Sequence, residues 1–163
     1  VKVLGIYPTT DFGWAVVNGG YRLVAGGTID FDNKTQKQLD FRAVSILSTL
    51  QDVMKDHTPD RIVIKADLQP VGKFQPTLFY GMFLGILSLV VRSYNFGTDE
   101  VIFLNHTEVC RSVSQTSTHA EGRSKVSSQE IAAKMTHICE IGMDPGQAWA
   151  VAACRLAIKR WSK

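Results

Sequence analysis

Two apolar runs set close together, residues 3–6 (Val-Leu-Gly-Ile) and 12–17 (Phe-Gly-Trp-Ala-Val-Val), constrain the fold more than any other stretch of the chain. Between them stand only Tyr7, Pro8, Thr9, Thr10 and Asp11, so the chain must reverse there and the runs read as neighbouring antiparallel strands. Asn18-Gly19-Gly20 follows, a trio that tolerates positive φ and suits a second tight turn. A third strand is expected over residues 21–31. The three make a meander, whose faces need further layers to cover them.

The period then changes. From residue 35, Leu39, Ala43, Ile46, Leu47, Leu50, Val53 and Met54 recur at three and four residues, the pattern of an amphipathic helix that ends before His57-Thr58-Pro59. Residues 61–66 are a short strand centred on Ile62-Val63-Ile64, and the intervening helix implies a crossover that sets it parallel to the first strand. A loop over 68–76, with Pro70, Gly72 and Pro76, leads into an apolar helix over 78–94. Gly81 and Gly85 share one face of that helix and let a second helix approach closely, so it reads either as a dimer interface or as the central helix of a monomer. Residues 100–104 form a fifth strand. Residues 111–126, rich in Ser, Thr, Gly, His and basic side chains without an apolar period, read as a mobile solvated loop. Ser127 and Glu130 have capping-box spacing and start a helix to about Cys139. Asp144-Pro145 starts the last helix, buried over 148–158 and basic at its end with Lys159, Arg160 and Lys163. This order predicts an α/β fold of ribonuclease H-like type: a five-stranded mixed sheet, three antiparallel strands then two parallel, flanked by helices.

Composition sets the bounds. A chain of 163 residues, 45% hydrophobic, supports one domain over 1–163. Its net charge of +3 permits a polyanionic partner without requiring one. Cys110, Cys139 and Cys154 are odd in number and lie in or beside apolar runs, so buried thiols in an intracellular reducing compartment, cytoplasm or organelle matrix, are expected rather than disulfides. No close Cys/His pairing points to zinc. The longest apolar run, 78–91, is broken by Gly81, Gly85 and Ser88 and falls short of the roughly 20 residues that span a bilayer, so no membrane partner is expected. The start of the chain shows no charged leader and cleavage site, which gives no indication of secretion.

Four places together resemble RuvC-type Holliday-junction resolvases over nearly the whole chain. Leu4-Gly5-Ile6-Tyr7-Pro8 with Gly13-Trp14-Ala15-Val16-Val17 is similar to that family's Gly-Ile-Asp-Pro start and following Gly-Trp-Ala-Val. Ile62-Val63-Ile64-Lys65 lies where the family has an apolar strand ending in glutamate, and Tyr80-Gly81 through Val90 resembles its Gly-rich dimer helix. Asp144-Pro145-Gly146-Gln147-Ala148-Trp149-Ala150 resembles its terminal Asp-x-x-Asp-Ala-x-Ala. The resemblance implies a homodimer that binds branched DNA and cuts it with magnesium held by converging carboxylates. The positions matching that site are Tyr7, Lys65, Asp144 and Gln147, and only one is a carboxylate. A set of four carboxylates carries four negative charges, whereas these four side chains sum to zero, and the lysine repels a dication outright.

Asp67, two residues beyond Lys65, offers a weak alternative metal site with Asp144, and Asp11 lies near the first turn. The simpler structural roles are a helix cap for Asp144, packing for Tyr7 and a hydrogen-bonding plug for Gln147. Lys73, Arg111, Arg123 and Lys125 are the candidate nucleic-acid contacts, by phosphate attraction and by the resemblance. Leu68 stands about where the family uses an aromatic wedge, with Phe74 nearby to stack on a base. The leading expectation is a catalytically inactive RuvC-like protein, without a cofactor, that keeps the fold, a dimer and branched-DNA binding. The alternatives are an active divergent magnesium-dependent endonuclease and a protein-interaction scaffold without DNA binding.

Overall fold

The structure, a computed structural model, describes residues 1–9, 12–29, 31, 39–66, 74–113 and 127–162. Strands β1 (Lys2–Tyr7), β2 (Phe12–Asn18) and β3 (Leu23–Ile29) form the expected antiparallel meander. Strands β4 (Arg61–Lys65) and β5 (Val101–Leu104) extend it in parallel, giving the order β3-β2-β1-β4-β5. The mixed five-stranded sheet expected from the sequence is therefore present.

Both faces of the sheet are covered, and strand alternation decides which residue serves which layer. Leu4, Ile6, Val16, Ile62 and Ile64 pack against helices α1 (Leu39–His57) and α2 (Phe74–Ser93). Val3, Ala15, Val17 and Val63 face the other layer, made by α3 (His106–Val113), α4 (Ser128–Cys139) and α5 (Pro145–Trp161). Helix α5 is buried over most of its length, as its apolar sequence requires. Ser127 and Glu130 form the anticipated capping box at the start of α4.

Three local expectations need correction. The turn after β2 takes its positive φ at Tyr21 (61°) rather than at the glycines. The Asn18 side chain accepts from the amides of Gly20 and Arg22, and Tyr21 passes its carbonyl to Arg155, so side-chain bonds fix the turn that the glycines were expected to permit. Helix α2 begins at Phe74, inside the expected loop; Pro76 falls in its first turn, where a missing amide costs little. Residues 111–113, expected in a loop, end α3. That helix starts on a reciprocal box in which Asn105 and Glu108 each accept the other's amide, 2.9 and 2.8 Å. Residues 114–126 lie outside the described set, as do Thr10, Asp11 and 32–38.

Helix α5 lies so close to the sheet that no side chain fits at two strand glycines. A Cβ on Gly5 would stand 2.6 Å from Cys154 Sγ and overlap the carbonyl of Ala150, and one on Gly13 would overlap the backbone of Gly146. Cys154 is fully buried there, its thiol donating to the carbonyl of Val3 at 3.4 Å, and burial pushes its ionisation far up. Gly13→Ala should therefore cost about 3 kcal/mol of stability by overpacking, measured by chemical denaturation, whereas a cost below about 0.5 kcal/mol, typical of a permissive surface, would show that the helix yields freely.

Candidate functional site

The candidate site lies along one rung of the sheet. Lys65 ends β4, Tyr7 ends the neighbouring β1, Gly13 is paired with Tyr7, and Thr28 is paired with Gly13. The first turn of α5 is laid across this rung, because Gly13 and Gly146 meet backbone to backbone.

At the β3 side, Asp144 is the N-cap of α5, with Pro145 in the first turn. Its Oδ1 accepts the Gln147 amide at 3.0 Å and also the hydroxyl of Thr28, so one carboxylate oxygen satisfies the helix start and ties it to the sheet. Gln147 is buried beside β3, where a Cβ on Gly26 would stand 2.7 Å from its Nε2. The capping role that the sequence allows for Asp144 is seen, and Gln147 is buried against β3.

At the β4 side, alternation puts Lys65 on the same face as Val63, under α5, and its side chain is fully buried. Its Nζ stands 4.2 Å from the ring centroid of Tyr7 and 4.4 Å from that of Trp149, with the two rings 6.0 Å apart and tilted by 42°. His106 packs against Trp149 with ring centroids 5.1 Å apart, and its Nε2 lies 3.2 Å from Cys110 Sγ. The buried indole N–H of Trp149 has no hydrogen-bond partner among the described residues, so Trp149 contributes its face rather than its polar edge. Burying an ammonium costs several kcal/mol. Attraction to each desolvated ring face returns about 2 kcal/mol, so the pair of rings offsets much of the penalty and holds the cation in place.

Together the four expected positions form two groups on one rung: Lys65 with Tyr7 and Trp149, and Asp144 with Gln147 and Thr28. This donor set does not fit the magnesium that the resemblance implies. A hard dication needs several oxygen ligands, whereas here an ammonium is built into the rung and the one carboxylate already receives two hydrogen bonds. Among the described residues, no group of three or more His, Cys, Asp or Glu is placed to hold a metal. Asp67 and Asp11, the substitute ligands, lie outside the described residues, as do Leu68, Lys73, Arg123 and Lys125. Arg111 is exposed in the last turn of α3. Gly81 and Gly85 are exposed on α2 with open space beside them. Thr28, Trp149 and His106 were not singled out from sequence. Trp149 alone had a signal, as a bulky residue between two alanines in the terminal motif.

No protein-family model and no curated protein matches this chain. Solved structures do. RuvC of Thermus thermophilus in complex with Holliday junction substrate superposes with a TM-score of 0.74 at 17% identity, over 99% of this chain and 96% of that one. The fold is that of the RuvC resolvases. A second Thermus thermophilus RuvC structure gives a TM-score of 0.71 at 18% identity, again over 99% and 96%. The yeast mitochondrial Holliday junction resolvase Ydc2 gives 0.55 at 11%, over 98% of this chain and 76% of that one. At these identities the likeness establishes the RuvC-like fold, and the chemistry rests on this chain's own residues. Among the described residues, no helix is long and apolar enough to cross a membrane.

Two variants separate the buried cation from simple space-filling. Lys65→Met keeps most of the volume and should change stability by less than about 1.5 kcal/mol. Lys65→Glu places a carboxylate against two negative ring faces and should cost about 3 kcal/mol or more. Equal melting temperatures for the two variants would contradict the aromatic box.

Proposed function

We propose that the chain is a non-catalytic RuvC-like protein that binds branched DNA as a homodimer and serves a structural or binding role. The observation that carries this reading is the ammonium of Lys65, fully buried between Tyr7 and Trp149 on the rung where a nuclease of this fold would need carboxylates. The junction complex of the Thermus thermophilus protein supports branched DNA as the ligand class for this fold. Among the expected nucleic-acid contacts, Arg111 is the described one, and its exposure suits a phosphate partner.

The dimer rests on α2. Beside the open Gly81 and Gly85, Leu78 and Leu89 are exposed on the same helix, and Phe41 and Val44 on α1. An apolar surface with two gaps suits a second copy of the helix better than water.

The DNA reading is tested by gel shifts with a four-way junction, duplex and single-stranded DNA across a salt series, with magnesium or manganese present. The expected result is a junction shift that weakens as salt rises and no cleavage product. Symmetric nicks that disappear with EDTA and with Asp144→Asn would overturn the non-catalytic reading, and the absence of any shift at low salt would favour a scaffold without DNA binding. Gly81→Ala and Gly85→Ala test the dimer: each should stabilise the isolated subunit by about 0.5–1 kcal/mol while shifting sedimentation toward monomer. An unchanged dimer would place the interface elsewhere.

A further inference from the structure

A groove of about 890 Å³ runs between α3, α4 and α5, away from the Lys65 rung. Asp144 caps one end of α5 and Lys159 lies in its last turn, about 20 Å further along the axis. Among the described residues, five cations line the groove, Arg111, Lys134, Arg155, Lys159 and Arg160, against one carboxylate, Glu108. Its formal charge of +4 exceeds the whole chain's +3, so the rest of the molecule is on balance slightly acidic and the basic character is concentrated here.

Helix ends explain part of this concentration. Arg111, Lys159 and Arg160 sit in last turns, where cations complement the helix dipole. Lys134 and Arg155 are mid-helix, where the dipole gives no reason for a cation. The Lys134 ammonium donates to the carbonyl of Val113, and Arg155 donates to the Tyr21 carbonyl at 3.0 Å with its guanidinium 5.0 Å from that ring. Both keep further N–H donors for an incoming anion. The groove also contains its own precedent. Glu108 Oε1 accepts from Arg160 at 2.6 Å, and this bond, with the Asn105 amide, holds its carboxyl below the usual glutamate range.

We propose that this groove receives an acidic, amphipathic segment of a partner protein. Between the cations lie Ile138, 39% exposed, the half-buried Leu156 and the exposed Tyr21, an apolar strip that carboxylates alone would leave wet. A segment with acidic residues on its edges and aliphatic residues on one face satisfies both parts of the lining, in the manner of a helix laid in a groove. A phosphodiester backbone satisfies only the charge, and a duplex is too wide and rigid to enter a cavity of peptide-ligand size. The proposal goes beyond the DNA reading and shares only Arg111 with it: a chain that shifts no junction DNA keeps the groove's other four cations and its apolar strip.

The test is fluorescence anisotropy on the full chain with a short labelled peptide bearing glutamates and leucines at i, i+4 spacing. Controls are a permuted peptide of the same composition and single-stranded oligonucleotide. The patterned peptide should bind saturably and more tightly than either control. Lys159→Glu with Lys134→Gln should weaken it about tenfold, and Ile138→Ser about fivefold, with circular dichroism melting confirming that both variants fold and junction gel shifts unchanged by Ile138→Ser. No saturable binding overturns the proposal. So does equal affinity for the permuted peptide, or tighter oligonucleotide binding that is lost in the charge variant, which would make the groove a phosphate track.

Discussion

The seating of α5 on the sheet is the constraint from which the rest of the site follows. Glycine at positions 5, 13 and 146 lets the helix rest on strand backbone, with no side chain between Gly13 and Gly146. Once the helix is that close, its first turn must cross the rung that ends β1 and β4. Trp149 then falls over Lys65, and Asp144 falls beside Thr28. A helix held a few ångströms further out would leave Lys65 in water and the cap without its second partner. The close contact fixes which positions meet on the rung, and the chemistry rests on the side chains that occupy them.

Those side chains carry a charge arrangement unlike that of convergent carboxylates. Convergent carboxylates need a bound dication to relieve their repulsion. Here the rung carries a fixed cation packed against two ring faces, while the carboxylate of Asp144 receives the bonds of a helix cap and a threonine. Lys65 and Asp144 need not face each other for this to work, because each has separate partners. Among the described residues, five cations line the groove at the far end of α5.

Much of this was legible in the sequence, for identifiable reasons. The meander followed from two short turns, the parallel strands from the helices between them, and the cap of α5 from Asp144 beside Pro145, all local signals of known geometry. The charge balance of the four site positions needed only residue identities. What could not be read was where Lys65 would find its compensation. Aromatic partners from β1 and α5 are brought together only by tertiary packing, and Thr28, a single hydroxyl in a glycine-rich strand, carries no signal of its own. Asn105 and Glu108 have the spacing of a capping box, but the polar residues that follow hide the little more than two turns of α3. The Tyr21 turn was misread because an Asn-Gly-Gly sequence draws attention to glycine, while the decisive bonds come from the Asn18 side chain.

The central claim is that a built-in cation has taken the place of a metal on the rung, and manganese binding followed by nuclear magnetic resonance reads this directly without depending on activity. With isotope-labelled protein and millimolar manganese, the resonances of Tyr7, Lys65, Asp144 and Gln147 should broaden no more than those of other surface-facing segments. Selective paramagnetic broadening centred on Asp144 and Gln147, saturating with metal and reversed by magnesium, would contradict the account.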